Sequence, residues 1–190
     1  MTAKPRSPAS GPAQRAPRLD DDDFTLFGLP ARYALDRADL DTRWRQLQAE
    51  VHPDRFAADG AAAQRLAMQW AVRINQAHQR LKDPLRRAAY LCEQRAAPID
   101  AERNTAMPAS FLMQQMAWRE SLDDATHLAE VEALAGQVDG AERAMHLELQ
   151  TLLDDRADAP AAAAAVRALM FVTRFRQDIE RRLDTLDPTR

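Results

Sequence analysis

Large apolar residues recur along the chain at helical intervals. Leu40, Trp44, Leu47 and Val51 follow one another at spacings of four, three and four, which puts them on one helical face. Asp36 offers an N-cap to that helix, with Asp39 three residues on as a capping-box analogue. Pro53 ends it near Val51, because a residue before proline is pushed out of the α region. His52 is therefore extended, and the loop runs on through Gly60. Leu66, Trp70, Ile74, Ala77 and Leu81 form the stripe of a second helix predicted over 61–81. Lys82-Asp83-Pro84 breaks it, and Pro84 in a first-turn position opens a third helix through Leu85, Ala88, Ala89 and Leu91. Ahead of the hairpin, Phe24-Thr25-Leu26-Phe27-Gly28-Leu29-Pro30 reads as a short apolar turn closed by glycine and proline.

The pattern weakens between Ala96 and Pro108, a proline-containing stretch that reads as a linker. Three further helices are predicted over 109–135, 139–156 and 160–186. Gly136 and Gly140 bracket the first break, and Asp158-Ala159-Pro160 marks the second. Met145, Leu149 and Leu152 give the middle helix a core face; Val172, Phe175, Ile179, Leu183 and Leu186 do so for the last. A three-helix bundle is the simplest way to bury these stripes. The alanine run from Pro160 to Ala165 starts the last helix and is assigned no function. The expected organisation is a disordered tail at 1–22, a helical hairpin with short flanking helices at 23–95, a linker at 96–108 and a three-helix bundle at 109–190.

Composition agrees. Glycine and β-branched residues are few while Ala, Leu, Arg, Gln and Glu abound, which favours an all-α protein. A single cysteine, Cys92, excludes an intrachain disulfide and any Cys-x-x-Cys zinc site, and fits a reducing compartment such as the bacterial cytoplasm. It reads as a small buried apolar residue. No run of about 18 apolar residues exists, so no membrane span is expected. The first 18 residues are rich in Pro, Ala, Ser and Arg, and Asp20 to Asp23 follow. Such a segment buries too little apolar surface to offset its ordering entropy. A mitochondrial transit peptide is the rival reading, opposed by prolines at 5, 8, 12 and 17.

Charge is uneven. Residues 24–95 carry 12 Lys/Arg against 8 Asp/Glu, and residues 96–190 carry 10 against 17. A basic front and an acidic back suggest two modules with different partners. Neither is basic enough to argue for nucleic acid.

The candidate chemistry sits at the hairpin tip. His52 and Asp54 could form an acid–base pair, as a small hydrolase would need. No positioned nucleophile, metal-ligand cluster or phosphate-cradling glycine loop accompanies them, so no catalysis, cofactor or metal is expected. His78, His127 and His146 are scattered on helices and read as surface or half-buried residues. Taken alone, His52-Pro53-Asp54 is either an ordinary polar turn or a docking loop held by its scaffold.

The sequence of apolar turn, helix, His-Pro-Asp, longer helix and short closing helix resembles a J-domain. That resemblance implies docking on an HscA/DnaK-class ATPase chaperone and stimulation of its ATP hydrolysis. His52, Pro53 and Asp54 would be the triggering residues, flanked by Arg43, Arg45 and Arg55. Pro53 would fix the loop, and Asp54 could pair bidentately with a partner arginine. Gln46, Ala49 and Glu50 dilute the basic face usual in J-domains, which points to a specialised partner. Phe24 through Tyr33, then Ile74-Asn75-Gln76-Ala77, Asp83-Pro84-Leu85, Arg87-Ala88, Tyr90-Leu91 and Phe111-Leu112-Met113, resemble the HscB family, the J-proteins of iron–sulfur cluster assembly. The match spans residues 23–190.

The helix over 109–135 carries a second signal. Phe111, Trp118, Leu122, Ala125 and Ala129 form a core stripe. Leu112, Met116, Glu120 and Asp124 fall at successive steps of four on a different line, with Met113 beside it. Either the helix is buried on both sides or the second face awaits a partner. Methionine suits adaptable binding surfaces, and the acidic end supplies specificity. The family resemblance implies that Leu112, Met113, Met116, Glu120, Asp124 and Phe171 bind the scaffold protein IscU. Ala117 stands where the family often has an acid, and Met116 where leucine is common. A J-protein serving a different client, with the bundle as another adaptor or a dimerisation unit, is the alternative.

Overall fold

Asp22 opens the first helix: its carboxylate accepts from the backbone N–H groups of Phe24 (2.9 Å) and Thr25 (3.0 Å), capping α1, Asp23–Leu26. The computed structural model describes residues 17–56, 58–100 and 107–187. Within the segment expected to be a disordered tail, residues 17–22 are thus described, and they are bonded. Asp21 accepts from the Arg18 N–H at 2.8 Å, and the Arg73 guanidinium donates to the carbonyls of Leu19 and Asp21. Asp23 is buried and pairs with Arg73 at 2.7 Å. An ion pair and a helix cap order what apolar burial could not. Residues 1–16, the heart of the expected tail, lie outside the described residues, as do 101–106 of the expected linker.

Every regular element among the described residues is helical: α2, Arg37–Glu50; a 3₁₀ turn, Pro53–Phe56; α3, Ala61–Lys82; α4, Pro84–Gln94; α5, Ala109–Asp124; α6, Leu128–Gln150; a π-turn, Thr151–Asp155; and α7, Ala159–Leu186. The chain divides into two compact units. One joins the residues up to Pro30 to Ala38–His78, and the other joins Ala31–Arg37 to the chain from Gln79 onward.

In the first unit α2 and α3 form the hairpin. Leu40, Ala67, Ile74 and Ala77 are buried. A polar seam reinforces them: the Trp44 indole N–H and the Gln48 amide both donate to Asn75 Oδ1 (2.9 and 2.6 Å). Trp44 also stacks on His78, whose Nε2 lies 2.7 Å from Asp41. His78 is buried, not a surface or half-buried residue, because this aromatic and carboxylate pair encloses it. Leu66 departs from its predicted stripe. It is 49% exposed, and Ala67 takes the core position, seven residues before the buried Ile74 on the same helical face.

In the second unit α7 is the hub, with α4, α5, α6 and the π-turn packed on it. Ala162, Ala163, Val166, Leu169, Val172 and Phe175 face its core, so the alanine run is a packing surface. Within the expected linker, Ala97 and Ile99 are buried, and Arg167 donates to the Ile99 carbonyl at 3.1 Å. The closing helix α4 belongs to this unit and buries Ala88, Leu91 and Cys92. Burial raises the Cys92 thiol to about 11, as expected of an inert core cysteine.

The first break of the bundle is displaced from its predicted place. Gly136 and Gly140 lie inside α6, and the chain turns instead at 125–127. A helical glycine costs only about 1 kcal/mol, which the buried Val131, Leu134 and Val138 on the same helix outweigh. The Glu130 carboxylate reaches back to the N–H groups of Thr126 (2.8 Å) and His127 (3.0 Å), and the N–H of His127 foremost holds it below the usual carboxylate range. The predicted helix over 139–156 likewise ends at Gln150, where the π-turn re-aims Asp154. That carboxylate accepts from the backbone N–H groups of Tyr33 (2.6 Å) and Ala34 (2.8 Å).

Candidate functional site

His52 follows the C-terminus of α2, and Pro53 begins the 3₁₀ turn that presents Asp54 and Arg55. The turn is tied from beneath. Arg55 donates through its guanidinium to the Ala49 carbonyl and through its backbone N–H to the His52 carbonyl, both at 3.0 Å. Gly60 reverses the chain into α3 with φ of +88°, a conformation only glycine adopts cheaply. His52 Nδ1 stands 3.6 Å from Asp54 Oδ2, and their side chains are 58% and 90% exposed. His52 Nδ1 also accepts from the Asp54 backbone N–H at 3.4 Å, so the loop offers a protein partner exposed charge on a turn held in one shape.

The three arginines differ. Arg45 is exposed and donates to Thr42 Oγ1 at 3.3 Å. Arg55 is exposed on the turn itself. Arg43 is half-buried, bonded to Asp39 at 2.9 Å and to the carbonyls of Phe27 (3.0 Å) and Gly28 (3.1 Å). Its charge anchors α2 to the turn after α1, where Gly28 has φ of +62°.

The second surface lies on α5. Phe111 and Trp118 turn inward, and Trp118 stacks on Phe175 with centroids 6.0 Å apart. Leu112, Met113 and Met116 point outward at 45%, 71% and 62% exposure, and Glu120 and Asp124 are exposed beyond them. Phe171, half-buried on α7, meets the edge of Phe111 at 6.0 Å and stacks on Phe175 at 6.2 Å. The Arg119 guanidinium covers its other side, 5.4 Å from the ring centroid. With about 100° per residue, Arg119 and Leu112 share the flank nearest Phe171, followed by Met116 and then Glu120, Met113 and Asp124. One apolar surface with an acidic margin results. Sequence reading missed one member: Arg119 gave no sign before its ring partner was in place.

Among the described residues no group of His, Cys, Asp or Glu could hold a metal ion, and no helix is long and apolar enough to cross a membrane.

The chain is 50% identical over 172 residues to the co-chaperone protein HscB homolog of Burkholderia multivorans, an alignment covering 89% of this chain and 98% of that one. The chain belongs to the HscB family of co-chaperones. A family model described as the HscB C-terminal oligomerisation domain matches residues 107–180, which span α5, α6 and most of α7. The chaperone HscB from Vibrio cholerae superposes with a TM-score of 0.75 at 35% identity, over 87% of this chain and 99% of that one. The human co-chaperone HscB shares the fold, with a TM-score of 0.80 at 22% identity over 93% of each chain. This chain thus joins a helical hairpin that carries His52-Pro53-Asp54 to a helical C-terminal part.

Proposed function

We propose that this HscB-family co-chaperone uses two separate surfaces to stimulate an HscA/DnaK-class ATPase and to deliver the iron–sulfur scaffold IscU to it, aiding cluster assembly and transfer. His52, Pro53 and Asp54 trigger the ATPase, with Arg45 and Arg55 supplying positive charge and Arg43 holding their helix in place. Leu112, Met113, Met116 and Phe171 form the apolar seat of the scaffold, and Glu120 and Asp124 fix its orientation. The chain performs no bond chemistry of its own and works in the bacterial cytoplasm. The observation that carries this reading is the exposed, braced His52-Pro53-Asp54 turn on a chain that also leaves a helix face of leucine and methionine uncovered. Holding both partners on one chain raises the effective concentration of scaffold at the chaperone.

The test is an ATPase assay with a purified DnaK-class chaperone. Wild type is expected to stimulate hydrolysis and His52→Gln to abolish the stimulation; a wild type that fails to stimulate sinks the chaperone half. For the scaffold half, Leu112→Ala with Phe171→Ala is expected to weaken IscU binding by at least about tenfold, the scale of losing two buried apolar anchors. The oligomerisation named in the C-terminal family model favours a second reading, in which the same face of α5 meets another copy of the chain. Sedimentation of the scaffold-free protein decides: a dimer that the double substitution dissociates supports self-association.

A further inference from the structure

Among the described residues, four methionine side chains are strongly exposed: Met68 at 57%, Met113 at 71%, Met116 at 62% and Met170 at 40%. The two most exposed, Met113 and Met116, stand three residues apart on α5 as helical neighbours. An exposed thioether is the soft nucleophile that hydroperoxides attack. We propose that Met113 and Met116 form a reversible oxidation site, at which hydroperoxides convert the client-docking surface from apolar to polar and release the client. This rests on the reading of that surface as the scaffold seat.

The chemistry balances without a cofactor. A lone pair on the methionine sulfur attacks the distal oxygen of the hydroperoxide, forming an S–O bond as the O–O bond breaks. The sulfur is oxidised by two electrons and the peroxide is reduced, its leaving oxygen taking a proton to become water or an alcohol. The product sulfoxide carries a strong acceptor where the thioether had none.

Location decides the consequence. Met113 and Met116 face water, so their oxidation removes no core packing and leaves the fold intact. A docked partner would have to bury the new S=O group. Leu112 beside Met116 and Ala117 beside Met113 offer no donor to it, the nearby Arg119 already lies over Phe171, and the Ser110 hydroxyl lies within a turn of Met113 but not of Met116. The docked partner in turn shields the thioethers. Client binding and oxidation therefore exclude each other, and the surface reports peroxide as lost affinity without unfolding.

The experiment treats the full chain with hydrogen peroxide, maps sulfoxides by peptide mass spectrometry, and measures affinity for purified IscU before and after. Met113 and Met116 are expected to oxidise alongside Met68 and ahead of the half-buried Met145. Affinity is expected to fall about tenfold or more, the scale of one polar group buried without a partner, while the thermal midpoint stays in place. Methionine sulfoxide reductase should restore binding. Met68→Leu should keep the full peroxide response, and Met113→Leu with Met116→Leu should lose it whatever its own starting affinity. Stoichiometric sulfoxide at both positions with affinity unchanged within about twofold overturns the inference and leaves the docking reading standing. An untreated protein that does not bind IscU sinks the docking reading and the oxidation site with it.

Discussion

The Tyr33 hydroxyl and His146 Nδ1 meet at 2.6 Å, and the Arg87 guanidinium lies over the Tyr33 ring at 5.2 Å. Burial raises the phenol to about 12, against a smaller opposing effect of Arg87, so Tyr33 stays protonated and can donate to the neutral imidazole. Burial, foremost, lowers His146 below its ordinary 6.5; Glu142 beside it works the other way and Arg87 reinforces the drop. The sign follows. Between the lowered folded value and 6.5 the unfolded chain binds more protons than the native one, so stability rises with pH across that window. The contribution is complete above 6.5 and is lost as pH falls through the folded value. Urea midpoints taken downward from neutral pH should fall more steeply in wild type than in His146→Gln. Parallel slopes would remove His146 from the account. Neither the ring nor its partner was legible in the sequence, since Tyr33 and His146 are 113 positions apart and belong to no common stripe.

The helices of the C-terminal unit were legible as helices but not in their limits. Apolar periodicity located Phe111 and Trp118, Leu149, and Val172, Phe175, Ile179 and Leu183, all of which are buried. It misplaced the break between α5 and α6, because glycine is a common stop signal and Glu130 capping at 126–127 is a quieter one. Gly136 now makes a clear prediction. A Cβ added there meets nothing within 4 Å, and the residue is exposed in mid-helix. Gly136→Ala should therefore stabilise the protein by about 0.5–1 kcal/mol, through helix propensity and a less flexible unfolded chain, read as a higher urea midpoint. Destabilisation would mean that α6 needs the glycine for a close approach the structure does not contain.

On the scale of the whole molecule, each proposed surface lies within one compact unit. Residues 43–55 belong to the first, and residues 112–124 and Phe171 to the second. The two functions should therefore separate by substitution. His52→Gln is expected to lose ATPase stimulation yet bind IscU as wild type does. The Leu112→Ala, Phe171→Ala double variant should still stimulate the ATPase but no longer add the scaffold to the complex, as a three-component pull-down would record. Loss of both activities in either variant would mean that the surfaces act as one.

What the sequence determined by itself was whatever local physics controls. Helical period, the proline after His52 and the dearth of strand-forming residues were enough for an all-α chain with a polar turn between two helices. The quoted motifs were enough for its family. The tertiary structure alone decided which apolar residues are core and which are surface, because burial depends on the neighbouring helix and not on the stripe. Leu66 and Ala67 exchange roles on that account, and Leu112, Met113 and Met116 stay outside although each is as apolar as a core residue. It alone assigned the arginines too: Arg43 is spent on the carbonyls of Phe27 and Gly28, while Arg45 and Arg55 keep their charge at the surface. Periodicity is a property of one helix, whereas exposure and pairing are properties of two.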